Sequence, residues 1–172
     1  MRGEEHMQAT SKVIQDEKDC FDKEDTSMRS AVQKNIVFLL TAKASVAFIS
    51  SRSTLRQALE KMRYHGYTAL PVVADDGTYV GTISEGDFLW HILDSGGYTI
   101  KSQGGYPVSD IIRYEWNPAV KINMTLDELL LRVKDQNFVP VVDDREKFVG
   151  IITRKSVINY YHDLFEKEKF NE

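Results

Sequence analysis

Two short stretches place reactive side chains at matching positions. Ser84 and Asp87 lie three residues apart in "TISEGD", and Thr153 to Ser156 read "TRKS" in "GIITRKSV". A hydroxyl with a carboxylate three residues on offers hydrogen-bonding groups to a ligand, or caps a helix with an acidic third residue. Arg154 and Lys155 put two cations at a helix start, against the sense of the macrodipole, which argues for a role beyond solvation. Lys43 stands between apolar runs in "FLLTAKASVAFI", open to reading as a loop charge or a phosphate contact. No nucleophile–base pair and no Walker-type loop accompany them, so an enzyme is not expected. His6, His65, His91 and His162 are scattered without metal-ligand spacing, and no metal is expected.

These stretches sit in a repeat. Pro71 and Pro140 lie 69 residues apart, as do Gly81 and Gly150; "LPVV" matches "VPVV" and "YVGTIS" matches "FVGIIT". Upstream, "TLRQALEKM" matches "TLDELLLRV" with a shift of two residues. Leu55, Ala58, Leu59 and Met62 have helical spacing, as do Leu126, Leu129, Leu130 and Val133. Each helix opens on a capping-box pattern, Thr54 with Gln57 and Thr125 with Glu128. Two copies of one unit are better supported than one continuous domain.

Each copy reads strand, helix, strand, turn, strand, helix. The first gives Ser45–Ile49, Thr54–Tyr64, Ala69–Val73, Tyr79–Ser84 and Glu85–Leu93. The second gives Ala119–Ile122, Thr125–Lys134, Val139–Val142, Phe148–Thr153 and Arg154 to about Glu168. "DDGT" and "DDREK" are turn-formers between antiparallel strands, and "PVSDII" is read as a short helix restarting the second copy. The chain divides into a charged, flexible tail at 1–34, a repeat at 35–94, a Gly-rich linker at 95–106, a repeat at 107–168 and a tail at 169–172. The expected fold is α+β, with two β-α-β-β-α repeats packed as a pseudo-twofold pair, because one such unit alone is marginal.

Composition excludes several classes. The formal net charge of −4 argues against a general nucleic-acid partner. One cysteine, Cys20, leaves no disulfide framework and suits a reducing cytoplasm. No apolar run is long enough for a membrane span, and "MRGEEHMQATSKVIQDEKD" is no signal peptide.

"GYTALPVV…GTISEGDF" and "FVPVV…GIITRKSV" resemble the paired repeats of the cystathionine β-synthase (CBS) domain family, over about residues 36–164. The resemblance implies a sensor of adenosine-containing ligands without a catalytic cofactor. Each cleft then takes its first strand and pre-proline segment from one copy, and the turn after the third strand from the other. The first cleft would join Lys43, Ser45, Ala47, Tyr67, Thr68 and Ala69 to Thr153, Arg154, Lys155 and Ser156. Backbone groups near Thr68 to Leu70 would read an adenine edge, and Lys43 and Arg154 would meet phosphate. The second would join Lys121, Asn137 and Phe138 to Ser84 and Asp87, whose carboxylate would accept from ribose hydroxyls as in sensors of AMP, ATP or S-adenosylmethionine.

"TAKASVAFI", "GYTALP" and "GIITRK" are similar to stand-alone CBS-pair proteins of Gram-positive bacteria that bind cyclic di-AMP, so that nucleotide is the expected ligand. A regulated protein partner and a homodimer are also expected. The homodimer would be built through the helices carrying Trp90, Tyr160, Tyr161 and Phe165. The rival reading is a scaffold that senses nothing and only dimerises.

Overall fold

The computed structural model describes residues 35–96 and 102–169. The expectations for the 1–34 tail, the centre of the linker and residues 170–172 fall outside the described residues. The described chain forms seven strands and four α-helices: β1 (Thr41–Ala42), β2 (Ile49–Ser50), α1 (Leu55–His65), β3 (Ala69–Val73), β4 (Tyr79–Ser84), α2 (Glu85–Ser95), β5 (Val120–Lys121), α3 (Leu126–Val133), β6 (Phe138–Val142), β7 (Phe148–Thr153) and α4 (Arg154–Lys169). They make an α+β fold with two sheets, ordered β2-β3-β4 and β1-β7-β6-β5.

The repeat is visible bond by bond. In both sheets the first strand runs parallel to the second and the hairpin pairs antiparallel, with Pro71 opposite Thr82 and Pro140 opposite Ile151. Both hairpins slip at the same step, between Val72 and Val73 and between Val141 and Val142. α1 opens on a reciprocal cap: Thr54 N donates to Gln57 Oε1 at 2.9 Å and Gln57 N to Thr54 Oγ1 at 3.3 Å. α3 repeats it, with Thr125 N donating to Glu128 Oε2 at 3.1 Å.

The hairpin turns meet across a local pseudo-twofold axis. Phe148 N donates to Gly77 O at 2.8 Å, and Tyr79 N to Glu146 O at 3.4 Å, each bond the 69-residue image of the other. Gly77 (φ 88°) and Glu146 (φ 62°) both adopt the left-handed backbone that this turn requires.

One arrangement departs from the sequence reading. Ile36 and Leu39, at the start of the first repeat, bury in the second core with Val120, Leu126, Leu129 and Ile152. Val108, Ile111 and Ile112 of "PVSDII", which opens the second copy in sequence, bury in the first core with Ile49, Leu55, Ile83 and Phe88. Leu55 N bonds Tyr106 O and Val108 N bonds Ser53 O, each at 2.9 Å, pinning this segment to α1. The cause is the open outer edge of each hairpin, which a crossing segment satisfies. Thus β1 pairs with β7 on one side, and Arg113 bridges to Thr82 on the other.

The crossing also explains the short first strands. The chain passes from the edge of β7 at Ala42 to β3 at Ile49, so residues between them face no strand to pair with. Lys43–Ser45 instead makes one 3-10 turn, and only Ile49–Ser50 joins the ladder expected at Ser45–Ile49.

Candidate functional site

The crossing segment roofs a cavity between the repeats. It has a volume of 280 Å³ and is walled by Thr41, Ser45, Val46 and Ala47 on one side and Tyr67 to Pro71 on another. Asn137, Phe138, Ile151 and Thr153 of the second repeat close it. Ser45, Ala47, Tyr67, Thr68, Ala69 and Thr153 therefore come together as the sequence suggests. The walls suit a flat, weakly polar ring, with a hydroxyl from Thr153 and backbone groups at the strand ends.

Each strand end is fixed by its neighbours. Thr68 O accepts from Glu85 N at 3.0 Å, and its image Asn137 O accepts from Arg154 N at 2.9 Å. Thr153 caps α4: Ser156 N donates to Thr153 Oγ1 at 3.0 Å, and Ser156 Oγ to Thr153 O at 2.7 Å. Ser156 is thus tied to its own helix cap.

The cations expected beside this cavity turn elsewhere. The Arg154 guanidinium donates to Val133 O at 2.8 Å, Gln136 O at 3.2 Å and Lys134 O at 3.3 Å. It caps the carbonyls left without helical partners at the end of α3, where a cation is favoured. Lys43 Nζ lies 5.3 Å from the centre of the Phe48 ring, because its 3-10 turn directs it along the crossing segment. Lys155 is exposed in the first turn of α4. None of the three lines the cavity.

The Asp87 cleft is differently built. Asp87 is only 8% exposed, and both carboxylate oxygens are committed. Oδ2 accepts from Ser84 N and Ser84 Oγ at 2.7 Å each, and Oδ1 pairs with Arg113 Nε at 2.7 Å. The capping reading of Ser84 and Asp87 is therefore realised in the structure. The Arg113 guanidinium lies 4.1 Å from the centre of the Trp116 ring, a cation–π contact. Behind them, Asn117 is 2% exposed and donates to Phe138 O at 3.1 Å. Tyr79 OH donates to Asn117 O at 2.8 Å and shares a 2.7 Å bond with Thr82 Oγ1, while burial pushes the phenol's pKa up. The groups that would receive a ribose are bonded to the protein itself.

Two residues expected in this second cleft line the first cavity instead, Asn137 and Phe138. They sit beside Thr153 because Phe138 pairs with it in the hairpin. Lys121 is displaced further. Its parallel register sets it opposite Val142, about 13 Å along the strand from Phe138. There it donates to Asp143 O at 3.1 Å and pairs with Glu146.

Arg113, Trp116, Asn117 and Tyr79 escaped the sequence reading. Their signal lay in the two-residue shift upstream of α3. Aligning β2 with β5 by their registers sets Asn117 against Val46 and Trp116 against Ser45, so an amide replaces a valine and an indole replaces a small serine in one cleft only.

Comparison with known proteins agrees with this geometry. The CBS-domain family model matches residues 40–94 and 108–163. Hypoxic response protein 1 of Mycobacterium tuberculosis is 27% identical over 119 residues, covering 68% of this chain and 79% of that protein. A crystal structure of CbpB in complex with c-di-AMP superposes with a TM-score of 0.78 at 21% identity, over 88% of this chain and 99% of the other. The Listeria monocytogenes CbpB protein in complex with c-di-AMP gives a TM-score of 0.67 at 24% identity, over 77% and 98%. Among the described residues no helix is long and apolar enough to cross a membrane. A tandem repeat sharing one register, with cores completed by exchanged segments, meets a family match to both copies: the chain belongs to the CBS-domain family.

Proposed function

We propose that the protein senses an adenine nucleotide, with cyclic di-AMP as the ligand, in the cavity between Ala47, Ala69 and Thr153. The observation that carries this reading is the inequality of the two clefts. One is an open cavity with small apolar walls, whereas the other holds its carboxylate in an internal ion pair. The CbpB proteins of the same fold are described in complex with c-di-AMP, which favours that nucleotide over AMP or S-adenosylmethionine. Adenine inserts between the crossing segment and β3, Thr153 meets the ribose, and phosphate lies toward the start of α4. There Lys155 and the positive end of the α4 dipole favour negative charge, and Arg154 can exchange its α3 carbonyls for a phosphate.

Occupancy ties the crossing segment of one core to the hairpin of the other, and so biases how the repeats sit together. A partner protein reads that state. The test is thermal stability against cyclic di-AMP, AMP, ATP, S-adenosylmethionine and cyclic di-GMP, since a ligand raises the melting temperature by mass action. Ala47→Phe, which fills the cavity, should abolish the rise and Asp87→Asn should preserve it. The reverse result moves the ligand to the Asp87 cleft, and no rise with any nucleotide leaves the dimerising scaffold.

A further inference from the structure

The nucleotide reading leaves an aromatic cluster at the cavity rim without a role. In "YHGYT", Tyr64 is 85% exposed and Tyr67, which lines the cavity, is 47% exposed. The His65 and Tyr67 rings stack with centroids 5.4 Å apart and planes 9° from parallel, and Tyr64 meets His65 edge-on at 5.0 Å. Exposed aromatic rings stacked on one another rather than on a core present a flat apolar surface to solvent.

The backbone holds this cluster in place. α1 ends at Gly66 in the left-handed conformation (φ 66°), which folds the chain back so that Tyr67 returns over His65. Tyr67 N then donates to Met62 O at 3.1 Å, completing the helix termination motif. The second repeat has nothing comparable. Its α3 ends at Lys134 in right-handed helical conformation, and "DQNF" supplies one aromatic residue in place of three. The platform is therefore specific to the rim of the open cavity.

Size gives it a purpose. At 280 Å³ the cavity falls just below the usual range for small-molecule pockets, about 300 to 1,000 Å³, and suits one nucleoside rather than two. A cyclic dinucleotide with one base inside must carry its second base at the rim. We propose that Tyr67, braced from behind by His65, is the stacking platform for that second base, so that the rim selects a cyclic dinucleotide over a mononucleotide. This rests on the nucleotide reading above and adds a selectivity element to it. Base–aromatic stacking tolerates any base, so the platform selects ligand size, while the cavity selects adenine.

The test compares cyclic di-AMP with AMP by titration calorimetry on the full chain. Tyr67→Leu should weaken cyclic di-AMP on the order of tenfold more than it weakens AMP, the effect of one lost stack. His65→Ala should weaken cyclic di-AMP severalfold and leave AMP unchanged, and His65→Phe should restore it. A cyclic dinucleotide carrying 2-aminopurine should lose fluorescence on binding to wild type, and less with Tyr67→Leu. If both ligands weaken equally, or neither changes with His65→Ala, the platform is overturned while the nucleotide site stands. If wild type binds neither nucleotide, the site falls and the platform with it.

Discussion

The carbonyl oxygen of Thr41 occupies the space that a β-carbon on residue 150 would need. This close approach lets β1 lie along β7 and deliver Ile36 and Leu39 to the second core. The image contact in the first repeat is softer, because a β-carbon on Gly81 would meet the Ile112 side chain, Cγ2, at 2.6 Å. Gly150→Ala must push backbone away from backbone, whereas Gly81→Ala displaces a methyl group. Overpacking of this kind costs about 1–3 kcal/mol. Gly150→Ala is expected at the upper end and Gly81→Ala at the lower, read as the difference between their urea midpoints. Equal midpoints would mean that β1 leaves β7 without loss.

The ion pair of Asp87 with Arg113 makes a second prediction. Its carboxylate is nearly buried while the arginine side chain remains 48% exposed, so solvent weakens the pair below a fully buried one. Arg113→Ala should destabilise by about 1–2 kcal/mol, since Ser84 still satisfies one carboxylate oxygen. Asp87→Asn loses the same interaction. The double variant should therefore cost less than the sum of the singles, a coupling seen in a double-mutant cycle of denaturation midpoints. Strict additivity would show that the pair contributes nothing.

Much of this was legible from residue types. Alternation and turn chemistry gave Ala69–Val73, Tyr79–Ser84 and Phe148–Thr153 with the bounds the structure shows, and the capping signatures opened α1 and α3 correctly. The exchanged segments were not legible. Apolar spacing shows that Ile36 and Val108 are buried, but says nothing of which core buries them. The directions of the long cations were not legible for a related reason. Arg154, Lys43 and Lys121 can each swing through several ångströms, and their partners are backbone carbonyls, ring faces and turns that leave no trace in a motif. Ser45, Ala47 and Ala69 do line the cavity, because for residues this small backbone position alone sets where they point.

Acid should loosen the contact between the hairpin turns. Lys147 Nζ bonds Asp76 Oδ2 at 2.8 Å and Thr78 Oγ1 at 2.9 Å, while Thr78 N donates to Asp76 Oδ1 at 2.9 Å. Led by the Lys147 bond, these hold the Asp76 carboxyl down from its ordinary 3.8 to about 2. A depressed carboxylate contributes stability that is full above its unfolded value and lost as pH falls through the folded one. The contribution should therefore be complete above about pH 4 and should fade toward pH 2. Lys147→Met should flatten the fall in urea midpoint across that window without removing it. Asp143, lowered chiefly by the Lys147 backbone N–H, keeps a share of the same sign. An unchanged slope would mean that the turn pair is without thermodynamic weight.

Arg154 joins two parts of the molecule, and its loss should be felt in both. Its guanidinium holds the last carbonyls of α3, while its backbone follows Thr153 at the cavity wall. Removing charge-assisted bonds from partly buried carbonyls costs about 1–3 kcal/mol, so Arg154→Ala should lower the ligand-free melting temperature by roughly 3 to 8 °C. On the proposed reading a nucleotide phosphate would compete with those carbonyls for the same guanidinium, so the variant should also lose most of the melting-temperature rise expected with cyclic di-AMP. Arg154→Lys should recover part of the ligand effect through its charge and little of the cap, because an ammonium cannot span three carbonyls as the planar fork does. A variant that melts lower yet keeps the full nucleotide-induced rise would confine Arg154 to capping α3, and would leave Lys155 and the helix start to hold the phosphate.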